Sequence, residues 1–208
     1  MILIGQYDSP FVRRVGIALN LYGLPFEHRP WSSFGDADKL RAVNPLTRVP
    51  TLVLDDGEVL VESHMMLDYL DSLAPAERRM FPAAEPARHR ALKVAALATG
   101  LADKAVSLFY EKRLHQQTSD LWVDRCRTQM EGALGALEKD RAGRKTDWWF
   151  DGRIGHADIA VGCALRFVGD AHPGTIAMAG YPALAAHAAR CEALPVFKSV
   201  SQPFIPPK

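Results

Sequence analysis

Short apolar runs alternate with helical stripes over the first 74 residues, and helical stripes alone fill most of the remaining chain. Residues 1–6 form a short apolar run, which predicts a buried strand. Phe11, Val15, Ala18, Leu19 and Tyr22 then recur at helical spacing, with Gly23 placed to stop the helix. Residues 26–31 predict a second strand. Residues 51–54 and 58–61 flank Asp55-Asp56-Gly57, and Asp-Gly between two apolar runs is a strong hairpin signal. Ser63 opens another helical stripe carrying Met66, Leu67, Tyr69, Leu70 and Leu73. The predicted order is β-α-β-(α)-β-β-α. Residues 75–87 (PAERRMFPAAEPA) hold three prolines without a period and read as a linker. Beyond it, helices are predicted over 88–115, 122–138, 154–168 and 182–194. The fold class is therefore α/β plus all-α: one domain over 1–74, a linker over 75–87, and a helical domain over 88–208.

Composition bounds this picture without changing it. The chain has 208 residues, 48% hydrophobic and 24% charged, which is enough for a sizeable core. Lys and Arg number 25 against 24 Asp and Glu, a net charge of +1. That balance argues against nucleic acid or an acidic membrane surface as the main partner. The amino end MILIGQYDSP lacks a basic region followed by a long apolar run, so no signal peptide is expected. No stretch approaches the ~20 apolar residues of a membrane span. Cys126, Cys163 and Cys191 are far apart and odd in number, so no disulfide framework or dithiol centre is expected and a reducing cytoplasm fits. The histidines show no metal-ligand spacing, so no metal is expected.

Several residues have an ordinary structural reading. Ser9 before Pro10 at the start of a helical stripe is what an N-cap with Pro at N1 looks like. Ser63 reads as a cap of the next helix, with Glu62 simply preceding it. Tyr7, leaving the first strand, reads as packed at the sheet edge. Val49-Pro50 would ordinarily be trans, since cis accounts for ~5–6% of X-Pro bonds in folded proteins. Asp158, four residues after Ile154, can cap a helix backward, although Gly155 stands where a hydroxyl residue would complete a capping box. Phe11, Tyr110, Trp122, Trp148 and Trp149 read as core aromatics.

The ordered run Asn44-Pro45-Leu46-Thr47-Arg48-Val49-Pro50-Thr51-Leu52, then Asp56-Gly57, Glu62-Ser63 and Asp68-Tyr69-Leu70, resembles the glutathione transferase superfamily. Ser9-Pro10-Phe11-Val12-Arg13-Arg14-Val15 is similar to the first helix of its serine-type bacterial and tau/theta-like members. Ile154-Gly155-His156-Ala157-Asp158-Ile159 is similar to a capping segment of its helical half. The resemblance covers essentially the whole chain. It implies a thioredoxin-like N-terminal domain, an all-helical C-terminal domain and a homodimer. Glutathione would bind mainly to the first domain, with the electrophile between the two.

The resemblance also implies roles for particular residues. Ser9 would hold the glutathione thiolate, with Tyr7 as its rival. A serine cannot serve as a base there, since its own proton is far less acidic than a thiol near ~8.5. It would instead donate a hydrogen bond to the thiolate, aided by the positive end of its helix. A cis Val49-Pro50 bond would aim the Val49 backbone at glutathione's cysteinyl backbone, as an added strand. Ser63 would hold the γ-glutamyl carboxylate and Glu62 the ammonium group. Arg48, or more weakly Lys39, would meet the glycyl carboxylate. Phe11 and Tyr110 would line the electrophile pocket. The absence of cysteine at position 9 argues against thiol-transferase chemistry.

Three functions share this site. The leading expectation is a cytoplasmic detoxification enzyme adding glutathione to a small hydrophobic electrophile. A non-catalytic ligand-binding or regulatory protein of the same fold is the second. A glutathione-dependent peroxidase or dehalogenase is the third.

Overall fold

A computed structural model describes residues 1–150 and 152–207. By contact the chain divides into two compact units: Met1–Met80 joined by the segment from Leu194 onward, and Phe81–Ala193.

The first unit is built on a four-stranded sheet of order β2-β1-β3-β4. β1 (Ile2–Ile4) lies inside, parallel to β2 (Glu27–Arg29) and antiparallel to β3 (Thr51–Val53), which pairs antiparallel with β4 (Val59–Val61). The Asp-Gly signal falls on the β3–β4 hairpin. α1 (Pro10–Tyr22) follows β1, α2 (Ala37–Val43) precedes β3, and α3 (Ser63–Leu73) follows β4 and packs on α1. This is a thioredoxin-like arrangement. The strands are shorter than their apolar runs because the sheet pairs only three residues of each.

Ser9 is the N-cap of α1, its hydroxyl accepting from the Val12 amide at 3.4 Å, and Gly23 ends the helix. Between β1 and α1 the chain makes a turn closed by the Ser9 amide donating to the Gln6 carbonyl at 3.1 Å. Gly5, at φ 133, precedes the turn; a side chain there would meet Val12 at 2.5 Å and Val49 at 2.9 Å. Only glycine lets the end of β1 approach both α1 and the Val49 segment so closely.

α1 is buried on nearly all sides, including Arg13 and Arg14. α3 covers one side, and the C-terminal segment covers another, returning to the first unit as α8 (Pro195–Ser199) and packing on α1. Arg13 donates to the Val200 and Phe197 carbonyls, both at 2.8 Å, and its guanidinium lies 5.3 Å from the Phe197 ring. A cation placed on the last carbonyls of a short helix satisfies groups that the helix itself leaves unpaired. Gly16 makes room for this approach, since a Cβ there would lie 2.8 Å from the Tyr7 ring and 3.0 Å from Val200. Gly16→Ala should therefore destabilise the protein by ~1–3 kcal/mol through overpacking, despite the ~1 kcal/mol that alanine gains in a helix. Urea denaturation of the variant tests the sign.

The second unit is helical: α4 (Ala87–Leu114), α5 (Asp120–Ala142), α6 (His156–Ala171) and α7 (Pro182–Ala193). α4 buries Ala91, Ala95, Ala98, Ala102 and Ala105, small residues at three- and four-residue spacing that admit α5 and α6 closely. α6 is buried on almost every side from His156 to Val168. That marks it as the central helix of the unit. Among the described residues no helix is long and apolar enough to cross a membrane.

Candidate functional site

The segment between α2 and β3 is shaped by one buried side chain. Asn44 accepts from the Leu46 amide at 2.9 Å and donates to the Arg48 carbonyl at 3.0 Å and the Thr51 hydroxyl at 2.8 Å. Thr51 in turn donates to the Arg48 carbonyl at 2.9 Å. A buried side-chain amide with both donors and its acceptor engaged ties the loop to itself at three points. Thr47 sits at φ 51 within this loop, and Val49-Pro50 is cis. The Asn44-Pro45 pair therefore marks a loop whose far end delivers Val49.

The second half of the site begins where β4 ends. Glu62 lies at φ 65 and ψ 119, a conformation that a non-glycine residue rarely adopts. Such an outlier costs on the order of 1–3 kcal/mol and concentrates at functional sites. Ser63 follows as the first residue of α3, buried, with its hydroxyl 3.4 Å from the Arg14 guanidinium. Glu62 gives the start of α3 no side-chain cap. The amino end of an eleven-residue helix thus meets the site with its own amides and their partial positive charge.

These pieces surround one pocket. Its lining includes Phe11, Arg48, Val49, Pro50, Glu62 and Ser63, together with Asn44, Leu46 and Val61. Arg48 donates to Glu62 at 3.1 Å, and both side chains are half exposed or more. An exposed pair of this kind contributes little, ~0–1 kcal/mol, so a zwitterionic ligand can replace it readily. The pocket offers a cation, an anion, a hydroxyl and a helix amino end within one small volume.

Comparison with known proteins decides what this arrangement belongs to. The glutathione S-transferase N-terminal domain model matches residues 3–78, and the C-terminal domain model matches residues 120–190. The chain belongs to the glutathione S-transferase family. A GST-like protein of Escherichia coli, YibF, is 32% identical over 173 residues, covering 81% of this chain and 82% of that protein. Glutathione S-transferase U6 of Arabidopsis thaliana is 26% identical, over 79% of this chain and 70% of the plant protein. A glutathione S-transferase of Methylobacterium radiotolerans, solved with glutathione sulfonate, superposes with TM-score 0.90 at 29% identity, covering 100% of this chain and 98% of that one. A second, from Methylobacillus flagellatus with glutathione bound, gives 0.88 at 26% identity, covering 98% and 99%.

For a member of this family, the structure gathers Phe11, Arg48, Val49, Pro50, Glu62 and Ser63 around the pocket, and the other candidates are not among its lining residues. Ser9 caps α1 two residues before Phe11. The Tyr7 ring is stacked on His28 with centroids 3.9 Å apart and 11° between planes. Burial pushes the Tyr7 phenol up from its ordinary value, which disfavours a phenolate. Lys39 is paired with Asp36 at 2.7 Å and lies 5.9 Å from the Trp31 ring. Tyr110 is on α4, in the helical unit, beside Phe109. Arg14 carried no predicted role, yet it lies under Ser63. Its signal in the sequence is position: it falls three residues after Phe11 and four before Ala18, a charge on an apolar stripe.

Proposed function

We propose that the protein is a glutathione transferase that adds the glutathione thiolate to a small hydrophobic electrophile. The reading rests above all on the meeting of Arg48, Glu62, Ser63 and the amino end of α3 in the pocket that Val49 lines. One zwitterion needs partners of opposite character side by side. Ser63 and the α3 amides would hold the γ-glutamyl carboxylate, Glu62 the ammonium group, and Arg48 the glycyl carboxylate. The Val49 backbone would pair with the cysteinyl residue as an added strand. Sulfur would then lie toward the amino end of α1, where Ser9 donates to the thiolate.

In the reaction the thiolate attacks an electrophilic carbon. An S–C bond forms, and in a substitution the leaving group departs with its electron pair. The protein supplies ionisation and proximity. Phe11, at the pocket edge, gives the electrophile an apolar surface, and Tyr110 would line the same substrate's site. Homodimerisation, a cytoplasmic location and a role in detoxification belong to this proposal. A non-catalytic binding protein, or a peroxidase or dehalogenase using the same thiolate, would share the glutathione contacts and differ in turnover.

Assay of glutathione addition to an activated aryl chloride, alongside a wider electrophile panel, separates these readings. Glutathione binding without turnover on any electrophile would favour the non-catalytic reading. Glu62→Gln should weaken glutathione binding about tenfold, the loss of a charge-assisted contact of ~1.4 kcal/mol. At saturating glutathione its thiol pKa should stay at the wild-type value. A fall in kcat with unchanged affinity would contradict the placement of Glu62 on the ammonium group.

A further inference from the structure

We infer that the C-terminal segment is a strap that positions the Ser9 turn, with Gln202 as its positioning residue; the inference rests on the assignment of Ser9 as thiolate donor. Ser9 is presented by the turn that its own amide closes on Gln6. The two central residues of that turn are Tyr7 and Asp8. In a turn of this kind the closing bond satisfies the last amide and leaves that of the second residue pointing outward. Here that amide, on Tyr7, donates to the Gln202 side-chain oxygen at 2.8 Å. The other central residue is held from the same side, since the Asp8 carboxylate accepts from the Ile205 amide at 2.9 Å. Both bonds bridge more than 190 residues of sequence.

The strap does not need these bonds to stay in place. Arg13 already ties it to α1 through the Val200 and Phe197 carbonyls, and Gly16 lets Val200 seat closely. Gln202 lies beyond that anchor and reaches the turn itself. The Tyr7 ring, stacked on His28 and resting over Gly16, fixes the same residue from its side-chain end. Backbone and ring together leave Tyr7 one position, and Ser9 follows two residues on. A donor aimed at a developing or resting anion is sensitive to this, because misplacement by about 1 Å can cost up to about 100-fold in rate.

A double-mutant cycle with purified full-length protein tests the inference. The thiol pKa of bound glutathione is read from thiolate absorbance against pH, alongside kcat and KM for the aryl chloride. Gln202→Leu should raise that pKa and lower kcat about tenfold, with glutathione affinity changed less than about twofold. In a Ser9→Ala background, Gln202→Leu should add nothing to the pKa shift, because the two act in series. Ile205→Pro, which removes the amide given to Asp8 and also narrows the backbone on either side of it, should move the pKa in the same direction by less, and stands in if Gln202→Leu does not fold. An unchanged pKa in both strap variants while Ser9→Ala shifts it would overturn the strap alone. So would full additivity in the double variant. No shift in Ser9→Ala would overturn the assignment of Ser9 on which the strap depends.

Discussion

Ser9→Ala is expected to raise the thiol pKa of bound glutathione by about one to two units and to lower kcat/KM at neutral pH about 10- to 100-fold. The magnitude comes from one charge-assisted hydrogen bond, ~1.5–3 kcal/mol, at 1.36 kcal/mol per unit of pKa. The direction is set by which form the hydroxyl favours. A donor to the thiolate stabilises the charged state and holds its pKa down, so its loss moves the acid limb of the rate profile to higher pH. The same hydroxyl caps α1 by accepting from the Val12 amide, so the variant should also lose ~1 kcal/mol of stability. Urea denaturation and the thiolate titration therefore report separately on two roles of one oxygen. A stability loss with an unmoved thiol pKa would leave the cap and remove the catalytic role. Tyr7→Phe is then the variant to test, although the stacking of Tyr7 on His28 and the burial of its phenol argue against it.

Asp158→Ala should cost ~3–5 kcal/mol, a large part of a typical total of ~5–15. The carboxylate is buried and accepts from the Trp149 amide at 2.8 Å and the Gly155 amide at 2.9 Å. Alanine would leave both donors unpaired in the core, at ~1–3 kcal/mol each, before any cavity is counted. Gly155 cannot return the favour with a side chain, so only the backward half of a capping box exists at the start of α6. That concentrates the bonding on Asp158. The His187 ring lies 3.6 Å from the carboxylate, and the Cys191 thiol is 3.5 Å from the ring. Burial pushes the Cys191 thiol up and so keeps it protonated.

This cluster also has a pH signature. Burial raises Asp158 from 3.8 to about 6, so its contribution is full below 3.8 and fades as pH rises through 6. Burial lowers His187 from 6.5 to about 4, so its contribution is full above 6.5 and fades as pH falls through 4. The two oppose each other between about 4 and 6 and largely cancel in the wild type. Asp158→Asn should unmask the histidine, giving stability that rises with pH across that window. A profile parallel to wild type would contradict the assignment.

Local chemistry made much of the fold legible. The Asp-Gly pair foretold the β3–β4 hairpin, Ser9-Pro10 the start of α1, and Gly23 its end, because each acts within a few residues. The pocket was legible in the same way, since Asn44 through Pro50 and Glu62-Ser63 lie in two short segments next to their elements. The return of the C-terminal segment to α1 was not. Pro195–Ser199 is too short to show a period, and Phe197 and Val200 signal burial without saying against what. Arg13 looks like a solvated charge until its partners are known, and those lie more than 180 residues away. The backbone of Glu62 was equally hidden. Nothing about glutamate favours positive φ, and the conformation falls at the single residue that joins β4 to α3.

The most direct test of a glutathione site on the first unit is calorimetric titration of the wild-type protein with glutathione and, in parallel, with the dipeptide Cys-Gly. The dipeptide keeps the thiol and the glycyl carboxylate but lacks the γ-glutamyl group assigned to Glu62, Ser63 and the amino end of α3. The predicted result is glutathione binding with a Kd of about 1 mM or tighter and dipeptide binding at least about tenfold weaker. Equal affinity for the two, or no glutathione binding at all, would contradict it.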